Sequence, residues 1–61
     1  MEILISMNNG DYFQFEITEE NYKSFKTDVG IYNWLKLNDY GYETNIEIFI
    51  RKEYISYYGI V

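Results

Sequence analysis

The chain has 61 residues, with ten acidic and five basic side chains for a net charge of −5, and it contains no cysteine, histidine or proline. A domain of this length buries only about 60% of its unfolded surface, and disulfide staples and the usual zinc ligands are both excluded, so one Trp, eight Tyr and four Phe must supply the core. The scattered lysines and arginines argue against a phosphate-binding surface, and no apolar run approaches the roughly 18 residues needed to span a bilayer.

Residues 2–7 and 11–17 read as paired strands around Asn8-Asn9-Gly10. A two-residue Asn9-Gly10 turn would set Ile3, Ile5 and Met7 on one face with Tyr12, Gln14 and Glu16, mixing charge into an apolar row. A three-residue loop with Gly10 left-handed instead aligns Ile3, Ile5 and Met7 with Phe13, Phe15 and Ile17, and burial favours this register. Tyr12 then points to the opposite face.

The period changes at Thr18, a candidate N-cap for a helix that begins at Glu19, with Glu19 and Glu20 near the positive helix end. Ile17 and Tyr22 stand at staple spacing. Tyr22, Phe25 and Val29 form a narrow apolar stripe, Lys23, Ser24 and Thr27 face water, and Gly30 closes a helix of about ten residues, roughly 15 Å long.

Residues 31–37 and 42–50 read as a second hairpin around a four-residue loop, Asn38-Asp39-Tyr40-Gly41, whose glycine takes positive φ. That register aligns Ile31, Leu35 and Leu37 with Ile46, Ile48 and Ile50, and sets Lys36 opposite Glu43 as a favourable cross-strand pair. Tyr32 and Trp34 share the other face, opposite Glu47 and Asn45, with Phe49 close by. Arg51-Lys52-Glu53 reads as a solvated polar turn. Residues 54–58 form a last strand of ambiguous facing, with Ile55 and Tyr57 assigned to the interior. The expected fold is α+β, ββαββ(β), a small antiparallel sheet of four to five strands with one short helix, either open or curling toward a barrel. Residues 1–61 form a single domain without linker or repeat.

Without His or Cys, nucleophile and base arrangements reduce to Ser, Thr, Lys, Asp, Glu and Tyr, and none of these falls into a recognised spacing. Asp11, Asp28 and Asp39 lie in turn or helix-end positions that aspartate occupies for local hydrogen bonds, and Gly10 and Gly41 open no phosphate loop. The expectation is therefore a protein that is not an enzyme, with no catalytic residues, no cofactor and no metal. The outer face is more informative, because Trp and Phe on a solvent-facing strand call for a cover. Either the last strand buries them or they form a protein interface, whose candidate residues are Tyr12, Tyr32, Trp34, Glu47 and Phe49. Such a face serves a homodimer, a higher oligomer or a different protein. Carboxylates at Glu2, Glu16, Asp39, Glu43 and Glu47 offer the alternative of an acidic nucleic-acid mimic.

The segment MEILISMNNGDYFQFEI, the short helix that follows and the closing EYISYYGIV sit in an alanine-free, acidic, Asn/Ile/Tyr/Lys-rich chain. In brevity, composition and pattern the whole chain resembles small accessory proteins of phages and mobile elements of low-GC Gram-positive bacteria, including anti-defence inhibitors such as anti-CRISPR proteins. The resemblance implies stoichiometric binding and inhibition or modulation of a host protein in the host cell cytoplasm. The start Met1-Glu2-Ile3 lacks the basic region of a signal peptide, which points to the same compartment. A structural or assembly subunit, using the aromatic face only for homo-oligomerisation, is the main alternative.

Overall fold

The computed structural model describes residues 1–61, and the fold is α+β: one helix with five strands in two antiparallel sheets. The strands are β1 (Glu2–Met7), β2 (Tyr12–Glu16), β3 (Trp34–Lys36), β4 (Phe49–Arg51) and β5 (Ile55–Ile60), with α1 at Glu19–Val29. One sheet has the order β2-β1-β5 and the other is β3-β4. The expected single sheet is thus two, and they do not close into a barrel.

The first hairpin forms in the register that segregated the apolar residues. Ile3 pairs with Phe15 and Ile5 with Phe13, and the three-residue loop is closed by Met7 N to Asp11 O at 2.8 Å and Gly10 N to Met7 O at 3.0 Å. Gly10 has φ +94°, a conformation that costs other residues steric strain. Ile3 and Ile5 are fully buried while Tyr12 is exposed.

Thr18 caps α1, its Oγ1 accepting from Asn21 N at 3.0 Å, which satisfies one of the unpaired first-turn donors. Phe25 is fully buried, and Tyr22 and Val29 pack beside it at half burial. Gly30 ends the helix with right-handed dihedrals (φ −80°, ψ −12°). Its cap is therefore a turn continuing from the helix, without the left-handed residue common at this position.

The second hairpin departs from expectation. Lys36 pairs with Phe49, not Glu43, so the ladder is displaced by six residues and shortened to Trp34↔Arg51, Leu35↔Ile50 and Lys36↔Phe49. Asn38-Asp39-Tyr40-Gly41 is not the tip of a tight hairpin. Leu37–Tyr40 form a 3-10 turn that Gly41 closes at φ +111°, and Leu37 and Tyr40 both enter the core. Burying Tyr40 against Phe25, with ring centroids 5.2 Å apart, decides against a loop that would have left the ring in water. The Asn38 side chain then stands in for missing ladder bonds, accepting from Ile48 N and donating to Ile46 O, each at 2.9 Å. Ile31 and Ile46, expected in the apolar row, lie outside the ladder and are exposed. Because a strand's facing repeats every two residues, the even displacement leaves Leu35 and Ile50 inside and Trp34 and Phe49 outside.

The last strand lies antiparallel to β1, with a bulge at Ser56: Ser6 pairs with Tyr57, but Met7 pairs with Ile55. The extra residue reverses the facing. Ile55 points inward as expected, whereas Tyr57 is 54% exposed and Tyr58 is the residue that packs on Phe25, at 5.1 Å between centroids. The assignment of Tyr57 to the interior fails for that reason.

Candidate functional site

The β3-β4 sheet presents Trp34, Lys36, Phe49 and Arg51 on its outer side by strand alternation. Trp34 is 55% and Phe49 53% exposed. Leu35 and Ile50, buried between them on the inner side, anchor the ribbon to the core and so hold the outer residues in place. The last strand does not cover this face, since it is committed to β1 in the other sheet.

Arg51 organises the centre of the patch. Its guanidinium carbon lies 5.3 Å from the centroid of the Trp34 ring and 5.7 Å from that of Tyr54, within cation–π range of both. Nη2 contacts Glu53 Oε1 at 2.6 Å, and Nε is buried without a hydrogen-bond partner. At the rim Lys36 Nζ meets Glu47 Oε2 at 3.3 Å. Aromatic rings gathered on a central arginine, with a Lys–Glu pair at the rim, have the composition of a protein interface, in which Trp, Tyr and Arg are the usual anchors.

Of the residues singled out from sequence, Trp34, Phe49 and Glu47 come together on this side of the molecule. Tyr12 lies on the outer face of the other sheet, paired with Ser6. Tyr32 precedes β3, outside the ladder, and is 55% exposed. Sequence reasoning missed Arg51, Lys36 and Tyr54. A signal for two of them was present: Lys36 is two residues from Trp34 and Arg51 two from Phe49, which in strands means a shared face. Arg51 is strand, not the start of a solvated turn.

The aspartates are dispersed. Asp11 accepts from Asn9 Nδ2 at 3.1 Å, and Asp28 Oδ2 accepts from the Tyr40 hydroxyl at 2.6 Å. No three carboxylates gather where they could share a metal ion. A surface pocket of about 330 Å³ beside Arg51 is lined by Asn33, Arg51, Lys52 and Glu53, without an apolar wall. No helix is long and apolar enough to cross a membrane. No family of proteins, no curated protein and no solved structure matches this chain.

Proposed function

We propose that this protein is a binding module that works by stoichiometric contact rather than turnover, with the outer face of β3-β4 as its contact surface. The observation that carries this reading is Trp34, more than half exposed on a strand that Leu35 and its partner Ile50 anchor in the core, with the Arg51 guanidinium over its ring. A rigid, half-solvated indole of this kind gains most of its burial on meeting a partner. Together with the resemblance to phage and mobile-element accessory proteins, it supports a host protein as partner, inhibited or modulated in the host cytoplasm. The acidic-mimic alternative is less well supported, because Glu47, one of its carboxylates, is engaged by Lys36.

The test is capture from lysate of low-GC Gram-positive cells by the wild type and by Trp34→Ala, at low and high salt. The expected result is a host protein retained in stoichiometric amount and retained at least ~10-fold less by the variant, the loss of a hot-spot residue worth about 2 kcal/mol, while circular dichroism shows the fold unchanged. Equal retention by both forms, or none by either, removes the reading.

A further inference from the structure

The three-stranded sheet ends in two unlike edges. On the β2 edge, Tyr42 packs edge-on against Phe13 and Phe15, at 5.8 and 5.2 Å between centroids, and Asp11 and Glu16 bracket the strand. The β5 edge has neither device. Its sequence, Ile-Ser-Tyr-Tyr-Gly-Ile, carries no charge, and uncharged edges are the ones that recruit further strands. Its bulge lies at Ser56, leaving 57–61 regular.

The direction of the free backbone groups follows from the ladder. Val61 N donates to Glu2 O at 3.0 Å, and Gly59 and Tyr57 stand opposite Leu4 and Ser6 in the same register. Antiparallel strands alternate, so the N–H and C=O of Tyr57, Gly59 and Val61 serve β1, and those of Tyr58 and Ile60 point away from it. Ile55 N is taken by Lys52 O at the end of the preceding 3-10 turn, and no turn, loop or cap backbone bond reaches residues 56–60.

We propose that β5 is a self-pairing edge: two copies of this chain join their β5 strands antiparallel about a two-fold axis at Gly59, making one continuous six-stranded sheet. In this register each Tyr58 faces the other copy's Ile60 and exchanges two hydrogen bonds with it, so the seam carries about four. The two Gly59 residues form the close, non-hydrogen-bonded pair at the axis. A Cβ at Gly59 would meet nothing within 4 Å in the monomer, so the outer face there is open. The flanking pairs are also self-complementary. Tyr58 with Ile60, and Tyr57 with Val61, are aromatic–β-branched pairs of the kind that stabilise sheets, and they cover Tyr57, Ile60 and Val61, which are exposed in the single chain. A second copy fits better than a charged partner because no ionised side chain lies in the seam, so a chain of net charge −5 can meet itself there without opposing like charges directly. Trp34 belongs to the other sheet and takes no part in the pairing.

Sedimentation equilibrium across a concentration series, read beside amide hydrogen exchange, tests this. Wild-type protein gives a concentration-dependent dimer, and the Tyr58 and Ile60 amides gain protection with concentration while Tyr57 and Gly59 do not. Ile60→Lys places charge in the seam and weakens dimerisation at least ~10-fold, about 1.4 kcal/mol. A synthetic chain N-methylated at Ile60, which removes only the outward donor, does the same and serves if the lysine variant fails to fold. Trp34→Ala dimerises like the wild type. Monomer mass throughout, including the case in which β5 pairs only with another protein's strand, overturns the proposal, as does undiminished dimerisation of the N-methylated chain.

Discussion

Tyr40 shows how one residue can outweigh a local turn preference. It is 7% exposed, and its hydroxyl donates to Asp28 Oδ2 at 2.6 Å. Burial, followed by the hydrogen bond to Asp28 and that group's charge, holds the phenol protonated well above the usual tyrosine range. The unfolded chain ionises this tyrosine near pH 10, whereas the folded chain retains the proton. The associated stability is therefore fully present below about pH 10 and is lost as the pH rises further. Tyr40→Phe removes the hydrogen bond at a cost of about 1 kcal/mol at pH 7, and it flattens the decline of stability above pH 10. Urea unfolding of both proteins at pH 7 and at pH 10 to 11 measures both effects, and parallel alkaline declines would refute the assignment. Asp28 and Tyr40 belong to different elements, so no sequence spacing announces their contact. Gly41 was legible as a residue of positive φ, but its partner structure is a 3-10 turn, and a Cβ there would stand 3.3 Å from the Glu16 carbonyl oxygen.

Among the elements, the two hairpins differ in what sets their register. In β1-β2 a short glycine loop and the match of Ile3, Ile5 and Met7 to Phe13, Phe15 and Ile17 agree, so pattern alone is sufficient. In β3-β4 the connection runs through residues 37–48, too long for turn geometry to specify pairing, and Asn38 supplies the specification by bonding to both Ile46 and Ile48. Asn38→Ala leaves the half-buried Ile48 N–H without its acceptor, at a cost of about 1–2 kcal/mol. Hydrogen exchange is the readout: the Ile48 amide accelerates beyond the change seen in β1, whereas uniform acceleration would mean that Asn38 holds nothing locally. The same logic explains β5. A bulge changes facing by one residue, and Tyr57-Tyr58 gives no sequence clue to which ring turns inward.

Across the molecule, Phe25 is the common point. It lies fully buried between Tyr40 of the 3-10 turn and Tyr58 of β5, joining the helix to the three-stranded sheet and to the turn that leads out of β3. Eight buried residues make the core, and a domain of this size has a total stability of only about 3–9 kcal/mol. Phe25→Ala removes about 3–5 kcal/mol of that. Thermal melting is therefore expected to lose its cooperative transition or to shift down by tens of degrees; a shift of only a few degrees would mean that the core is not organised around this ring. The aromatic patch at Trp34 depends on the same core through Leu35 and Ile50, so a change at Phe25 reaches the patch only by loosening the fold.

The sequence by itself determined the α+β class, the first hairpin with its register, the capped helix and its buried stripe, and the outward facing of Trp34 and Phe49. All of these rest on interactions within a few residues or on a period of two, which survives even a six-residue slip. Only the tertiary structure decided that there are two sheets, that β5 pairs with β1 and leaves Trp34 uncovered, that Tyr40 is core, and that Arg51 stacks on Trp34. The physical reason is burial competition: distant segments vie for a core of eight side chains, and the outcome depends on which rings fit against Phe25, a quantity that no local pattern contains.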